Sequence, residues 1–179
     1  MPSPARSRRL SAPSAARWAR VRLFAMDVDG VLTDGTVHIS SNGSESKAFS
    51  ILDGHGLRRL ARAGSANAWI SGRASDATTV RAKELAIPHV IQGPVEKLTS
   101  LQALAGRLGL GAAECAYMGD DEIDIAAMRW AGIAIAPPDA MPAALAAAHL
   151  VTHRSGGHGA VREICELLLA AREEKRGSR

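Results

Sequence analysis

Short apolar runs alternate along the chain with longer segments in which apolar residues recur every three or four positions. The runs are typical of buried strands, and the three-to-four spacing is typical of helices with one buried face. Strands are predicted at 21–26, 68–70, 89–91, 115–118, 133–136 and 149–151. Helices are predicted at 54–64, 74–86, 95–108, 122–131, 140–147 and 159–174. Strands that alternate with helices across short loops predict an α/β fold, with a Rossmann-like, doubly wound parallel sheet and helices on both of its faces.

The segment 36–50 interrupts this alternation directly after the first strand. It holds two short β-prone runs on either side of Ser41-Asn42-Gly43-Ser44 instead of a helix. Asn-Gly between two such runs is a strong signal for a β-hairpin. The hairpin is predicted to project from the edge of the sheet at which ligands bind in such folds. It is either a plain connector or, because it follows the first strand, a lid or a contact between subunits.

The basic character of the chain is concentrated at its start. The first 22 residues carry six arginines and no acidic residue, whereas the whole chain has a net charge of +4, so residues 23–179 sum to −2. The folded part therefore lacks the basic surface typical of nucleic-acid binding. Residues 1–19, rich in Pro, Ser, Ala and Arg, are predicted to be a disordered extension, with an organelle transit peptide as the alternative. Residues 20–179 are predicted to form a single domain.

Neither a membrane segment nor a disulfide framework is predicted. No apolar stretch approaches the ~20 residues of a membrane helix. The basic start lacks the apolar block of a secretory signal, since Pro13, Ser14 and Arg17 interrupt it. Cys115 and Cys165 stand alone in apolar segments and are predicted to be buried thiols. These features favour a protein of a reducing compartment, the cytoplasm.

Chemically active side chains cluster just after the predicted strands. In a parallel α/β sheet, the residues beyond the carboxyl ends of the strands share one crevice. These residues are Asp27 and Asp29 after the first strand, Ser71, Gly72 and Arg73 after the second, Lys97 after the third, and Asp120, Asp121 and Asp124 after the fourth. Each group alone is also compatible with a turn, a helix cap or a solvated side chain. Together they predict a site with several carboxylates, one cation and one hydroxyl.

Such a cluster of carboxylates would repel itself unless a cation were bound. Hard oxygen ligands of this kind fit Mg²⁺, which is typically held by one or two carboxylates together with water and a phosphate. Ser71, the loop amides and Lys97 would neutralise the oxygens of a phosphate group. One aspartate could then attack phosphorus and form an acyl phosphate, and the aspartate two residues on could give and take protons. The pattern predicts Mg²⁺-dependent phosphoryl transfer.

The order of these groups resembles that in the haloacid dehalogenase superfamily of phosphatases: Asp-x-Asp-Gly-Val, Ser-Gly-Arg, a lysine, then Gly-Asp-Asp-x-x-Asp. Six longer stretches are similar, more narrowly, to the small-cap branch that hydrolyses 3-deoxy-D-manno-octulosonate 8-phosphate in lipopolysaccharide precursor synthesis. They are DVDGVLTDG, KAFSILDGHGL, ISGR, QGPVEK, YMGDDEIDIAAM and GGHGAVREICELLL. The resemblance covers about residues 20–171. It implies a phosphatase domain with a small β-hairpin, or flap, in place of a cap domain.

The resemblance implies a role for each aspartate. Asp27 would be the nucleophile and a Mg²⁺ ligand. Asp29 would be the general acid and base, and would bind Mg²⁺ through its backbone carbonyl. Asp120 would be the third protein ligand, and Asp121 and Asp124 would orient the site from behind the ligands.

Ser71 and Lys97 would bind the transferring phosphoryl group. The family more often carries threonine in place of Ser71, and since the hydroxyl is kept, the function should survive. At His158 the family often carries arginine, and this departure leaves open how position 158 meets a substrate anion.

The same branch implies a homotetramer whose hairpins pack at its centre and whose subunits help to close each other's active sites. Substrate contacts are predicted for Arg73, Arg81, Lys47 and Gly72, with the loop 156–159 as a further candidate. The carboxylate of a sugar acid is a natural partner for arginine. Arg81 and Lys47 are equally compatible with solvated surface positions.

Four other functions stay open. Relatives that act on nine-carbon sugar-acid 9-phosphates tend to carry glutamate at the position of Arg73, so the arginine favours the eight-carbon substrate over these and over broader sugar phosphates.

A phospho-receiver switch uses similar groups in a different order, and Asp29 would have no task in a switch that keeps its phosphate. A degenerate module that only assembles would require the loss of a catalytic residue, and all the expected ones are present.

Overall fold

The main sheet is parallel throughout. The computed structural model describes residues 11–177 of the 179, with side chains through residue 174. Its strands are β1 (Leu23–Met26), β2 (His38–Ile39), β3 (Glu45–Ser46), β4 (Ala66–Ser71), β5 (His89–Gln92), β6 (Cys115–Met118), β7 (Ile133–Ala136) and β8 (Leu150–Val151). Six of them form one sheet in the order β5-β4-β1-β6-β7-β8, in which every neighbouring pair is parallel. This order confirms the predicted Rossmann-like, doubly wound fold.

Helices cover the sheet from both sides. They are α1 (Ala15–Trp18), α2 (Ile51–Arg62), α3 (Asp76–Leu85), α4 (Lys97–Arg107), α5 (Ile125–Trp130), α6 (Pro142–Ala147) and α7 (Ala160–Gly177), with 3₁₀ turns at Ala112–Glu114 and Glu122–Asp124. Along β1, Phe24 and Met26 point to a core shared with α2, α3 and α7. Leu23 and Ala25 point to a second core shared with α4, α5 and α6. All four side chains are completely buried, as expected for a strand that is covered on both faces.

Side-chain caps fix where the helices that carry the site begin. Ser50 accepts a hydrogen bond from the amide of Asp53, so α2 begins at residue 51 rather than at the predicted 54. Glu96 accepts from the amide of Leu98, which makes Lys97 the first residue of α4. These caps satisfy amides that a helix leaves without partners at its start.

The segment after β1 forms the predicted hairpin. β2 and β3 are antiparallel, with Ile39 opposite Glu45. The amide of Gly43 donates to the carbonyl of Ser40 at 2.9 Å, and Gly43 has a φ of +83°. The loop therefore has three residues and ends on a left-handed glycine, rather than being a two-residue Asn-Gly turn. Each strand spans two residues, so the regular hairpin is shorter than the predicted segment 36–50.

Residues 15–18 correct the prediction of a disordered extension. They form α1, and Trp18 is only 8% exposed, in the core beneath α7. The guanidinium of Arg17 bonds to the carbonyl of Gly132. Burial of one large indole offsets the conformational entropy that the segment loses when it becomes ordered. The average composition of the segment does not reveal this contribution. Residues 1–10 of the predicted extension lie outside the described residues.

Cys115 and Cys165 are buried free thiols, as predicted. Burial raises the pKa of the Cys115 thiol to about 11. Among the described residues, no helix combines the length and the apolar character needed to cross a membrane.

Replacing Trp18 with Ala should lower the free energy of unfolding, because the change removes the buried indole that joins the amino-terminal segment to the core. A loss of about 3 kcal/mol is expected, measured by urea denaturation. Arg20→Ala, at an exposed position nearby, is the matched control and should change the stability by no more than about 0.5 kcal/mol. Equal urea midpoints for the two variants would contradict a structural role for this segment.

Candidate active site

The site lies where the strand order reverses in the middle of the sheet. From β1 the chain proceeds outward through β4 and β5, and then crosses to the other side of β1 for β6, β7 and β8. The loops that leave β1 and β6 diverge, and a crevice opens between them. Asp27 and Asp120 follow these two strands. The Asp27 amide donates to the Met118 carbonyl at 2.9 Å, which holds the two strand ends side by side.

A buried lysine joins the carboxylates. Lys97 Nζ lies 2.8 Å from Asp27 Oδ2 and 2.7 Å from Asp124 Oδ1, and the residue is only 2% exposed. Burial alone would lower the pKa of Lys97, but the charges of Asp27 and Asp124 outweigh it and raise the pKa, so the ammonium stays charged. Removing one member of such a buried ion group leaves an uncompensated charge, so the three groups depend on one another.

Asp124 accepts four hydrogen bonds. Its Oδ1 accepts from the Tyr117 hydroxyl at 2.8 Å as well as from the lysine. Its Oδ2 accepts from the backbone amides of Asp120 and Asp121, at 3.3 Å each. Since both oxygens already have donors, Asp124 orients its neighbours and has little capacity left for a metal. Tyr117 could not be identified from the sequence, because a tyrosine inside an apolar run gives no sign of its partner.

Asp27 and Asp120 form the part of the cluster that fits a cation. Carboxylate oxygens of Asp27, Asp120 and Asp124 lie within 4.8 Å of one another. Asp120 Oδ1 is buried and has no hydrogen-bond partner among the described residues. Burial and the charge of Asp27 raise the pKa of Asp120 to about 8, and burial and the charge of Asp124 raise the pKa of Asp27 to about 6. These crowded, hard oxygen donors fit Mg²⁺, with Asp27 and Asp120 as the side chains that would hold it.

Glycines let the surrounding loops approach Asp120 closely. Gly30 has a φ of +84°, and a Cβ there would lie 2.0 Å from Asp120 Oδ2. A Cβ on Gly156 would lie 2.0 Å from the carbonyl oxygen of Gly30, so the segment before α7 packs directly behind the loop that follows β1. Buried Asp53 accepts from the amide of Gly159 at 3.2 Å and fixes that segment. The backbone around the carboxylates is therefore tightly enclosed.

The hairpin supplies a cation to Asp29. Lys47 follows β3, and its Nζ lies 2.6 Å from Asp29 Oδ1 and 3.5 Å from Thr78 Oγ1. The side chain of Lys47 is fully buried, although it belongs to a largely exposed hairpin. The residue predicted as a substrate contact thus lies against the predicted general acid and base.

Glu45, on the same hairpin, bonds to the loop after β4. Its carboxylate pairs with the guanidinium of Arg73 and accepts from the Ser75 hydroxyl at 2.6 Å. The hydrogen bond from Arg73 is the main reason that the pKa of Glu45 falls to about 2. The buried hydroxyl of Ser71 donates to the Arg73 carbonyl at 3.0 Å and accepts from the Arg73 amide at 3.2 Å. The sequence did not identify Glu45, because the sequence of a hairpin does not indicate which loop the hairpin will contact.

Arg81 lies on α3, next to the hairpin. Its guanidinium donates to the Ser50 carbonyl at 3.2 Å and to Glu84 at 2.7 Å. With Lys47, it lines a groove of about 460 Å³ between the hairpin and α3. The predicted substrate contacts Arg81 and Lys47 therefore share one groove.

The remaining predicted residues are exposed. Asp121 is exposed, and its side chain accepts from the amide of Glu122 at 2.6 Å, which caps the 3₁₀ turn. The role of Asp121 in orienting the metal ligands stays a prediction. Gly72 and His158 are both exposed. Neither residue contacts Asp27 or Asp120 among the described hydrogen bonds, and their roles stay predictions.

Known proteins are similar to the chain in sequence. Residues 66–164 match the family described as haloacid dehalogenase-like hydrolase. The chain is 41% identical over 162 residues to 3-deoxy-D-manno-octulosonate 8-phosphate phosphatase KdsC of Yersinia pestis. These residues make up 90% of this chain and 87% of the relative. The chain is also 40% identical over 162 residues to the KdsC phosphatase of Escherichia coli K12. These residues make up 90% of this chain and 86% of that phosphatase.

Solved structures share the fold at similar identity. The 3-deoxy-D-manno-octulosonate 8-phosphate phosphatase of Moraxella catarrhalis, in complex with magnesium ion, phosphate ion and a KDO molecule, has a TM-score of 0.87 and 44% identity, and covers 91% of this chain and 94% of its own. The cobalt-bound phosphatase of Haemophilus influenzae has a TM-score of 0.84 and 35% identity, and covers 88% and 92%. With these matches across nearly its whole length, the chain belongs to the haloacid dehalogenase-like hydrolases, in the family of 3-deoxy-D-manno-octulosonate 8-phosphate phosphatases.

Proposed function

We propose that the protein is a Mg²⁺-dependent phosphatase that hydrolyses 3-deoxy-D-manno-octulosonate 8-phosphate to the free sugar acid and phosphate. The observation that carries the proposal is the buried Lys97 between Asp27 and Asp124, beside Asp120 Oδ1, which has no hydrogen-bond partner in the described part of the chain. A nucleophile, a phosphate-binding cation and metal ligands would then share one crevice. The relatives named for this reaction, at about 40% identity, support the substrate.

The first step transfers the phosphoryl group to the enzyme. A carboxylate oxygen of Asp27 attacks phosphorus, and the bond from phosphorus to the sugar oxygen breaks as the aspartyl phosphate forms. Asp29 gives its proton to the leaving sugar oxygen. Lys97 and the Ser71 hydroxyl bind the phosphoryl oxygens, for which the hydroxyl exchanges its present bond to the Arg73 carbonyl.

The second step releases phosphate. A water molecule gives its proton to Asp29 and attacks phosphorus, and the bond to Asp27 breaks, which restores both carboxyl groups. Lys47, 2.6 Å from Asp29, holds the acid and base in place for both steps. Bound Mg²⁺ would neutralise the carboxylates and the phosphoryl oxygens. The side chains of Asp27 and Asp120 and the backbone carbonyl of Asp29 would hold it.

The sugar acid would be recognised on the hairpin side of the crevice. Arg73 is paired with Glu45, and a substrate carboxylate would compete with Glu45 for its guanidinium. Lys47 and Arg81 would add positive charge from their shared groove. Gly72, without a side chain and exposed, leaves the loop open for the ligand.

We also propose a cytoplasmic homotetramer with shared active sites. Large apolar side chains are exposed on the hairpin and on the helices next to it, among them Ile39, Ile51 and Val80 at 67%, 82% and 68%. Contact with other subunits would remove such surface from water. The unpaired, buried thiols of Cys115 and Cys165 support a reducing compartment.

Asp27→Asn should abolish turnover while the fold is retained, because an amide cannot form the acyl phosphate. Asp29→Asn should slow turnover by about 10²–10⁴-fold, since only proton transfer is lost. Phosphate release is the assay, and circular dichroism checks the fold. Glu173→Gln, an exposed change on α7 that also removes one negative charge, is the control and should match the wild type. Substantial turnover by Asp27→Asn would refute the nucleophile.

EDTA should silence the enzyme, and added Mg²⁺ should restore it. Asp120→Asn should raise the Mg²⁺ concentration for half-maximal activity by at least tenfold as an order-of-magnitude estimate, because a ligand charge is lost. Exposed Glu122→Gln, two residues away, should change this concentration by no more than about twofold. Full activity in EDTA would contradict the metal requirement.

The eight-carbon substrate should give the highest kcat/KM in a panel of phosphomonoesters. We expect a preference on the order of tenfold or more over nine-carbon sugar-acid phosphates and generic sugar phosphates, because Arg73 must pair with a correctly placed carboxylate. Phosphate release from each compound measures the preference. A nine-carbon optimum would support the alternative substrate, and equal rates would indicate a broad phosphatase.

A further inference from the structure

The hydroxyl of Tyr117 reaches the core of the site from inside the sheet. Tyr117 lies on β6, two residues before Gly119, and its side chain is completely buried. Its hydroxyl donates to Asp124 Oδ1 at 2.8 Å. The same oxygen accepts from Lys97 Nζ at 2.7 Å. One carboxylate oxygen therefore divides its lone pairs between a neutral donor and a charged one.

The other oxygen of Asp124 is held by the backbone. The amides of Asp120 and Asp121 donate to Oδ2. With Tyr117 bonded to Oδ1, donors on both oxygens fix the plane of the Asp124 carboxylate. The direction from which Oδ1 can accept a hydrogen bond from Lys97 is therefore fixed as well. Tyr117 is a neutral donor, whereas Lys97 donates to the same oxygen as an ammonium.

We propose that Tyr117 is a positioning residue, which sets how far the Lys97 ammonium stands from Asp27 and from the phosphoryl group. Without the hydroxyl, Lys97 is the one donor to Asp124 Oδ1 that remains among the described residues, and the ammonium is drawn toward Asp124. Its contacts to Asp27 and to phosphoryl oxygens then weaken. This inference rests on the proposed phosphatase activity, in which Lys97 binds the phosphoryl group.

Tyr117→Phe isolates this effect, because it removes one hydroxyl and keeps the ring. The inhibition constant of inorganic phosphate should rise, and kcat/KM for the octulosonate 8-phosphate should fall, each by about tenfold. The Mg²⁺ concentration for half-maximal activity should stay within about twofold, since its predicted ligands are untouched. Ser65→Ala is the matched control, because it deletes a buried hydroxyl that has no hydrogen-bond partner among the described residues and no link to Asp124.

A purely structural role makes a different prediction. It would lower the melting temperature of Tyr117→Phe and leave the phosphate inhibition constant unchanged, and this result would overturn the proposal. A second test adds Tyr117→Phe to Asp124→Asn, with phosphate binding measured by calorimetry at saturating Mg²⁺. Because Tyr117 acts through Asp124, the added change should have no more than about a twofold effect. A further tenfold loss would also overturn the proposal.

The wild-type enzyme separates this inference from the proposed function. Absence of turnover on every phosphomonoester would defeat the function itself. An active wild type whose phosphate inhibition constant is unaffected by Tyr117→Phe would defeat the role of Tyr117 alone.

Discussion

The Lys97 ammonium is the contact on which the rest of the site depends, because it allows Asp27 and Asp124 to lie buried next to each other. A buried charge that lacks its partner is strongly destabilising. The three groups come from the end of β1, the start of α4 and the turn before α5, so they meet only when the central strands are in register. The cluster of Asp27, Lys97 and Asp124 therefore requires the folded sheet.

The buried charges do not balance without a cation. Asp27, Asp120 and Asp124 would carry three negative charges against the single positive charge of Lys97. The raised pKa values of Asp27 and Asp120 express this excess, since burial and mutual repulsion favour their protonated forms. A divalent ion would remove the excess, and Asp120 Oδ1, which has no hydrogen-bond partner among the described residues, would be free to bind it.

The sheet and the ionised core of the site could be predicted from the sequence, since strand–helix alternation places Asp27, Lys97 and Asp120 at one edge whatever the details of packing. Groups whose role depends on tertiary contacts could not be predicted from the sequence. In the sequence, Tyr117 is indistinguishable from the other buried residues of β6, and only the structure shows its bond to Asp124. The pairing of Glu45 with Arg73 forms only when the hairpin packs against the loop after β4. Trp18 was hidden in the same way, because composition describes a segment and not what a single side chain can bury.

The two sides of the crevice differ in how they are built. The phosphoryl side is made of core elements, whereas the leaving-group side is made of the hairpin and the loop after β4. Glu45 and Lys47 are two residues apart, so they share a face of the hairpin and bring opposite charges to Arg73 and to Asp29. Every phosphomonoester presents the same phosphoryl group, so in the proposed function the selection of a sugar acid would come from the hairpin side. There, a substrate carboxylate would gain only the difference between its own bond to Arg73 and the bond that Glu45 gives up.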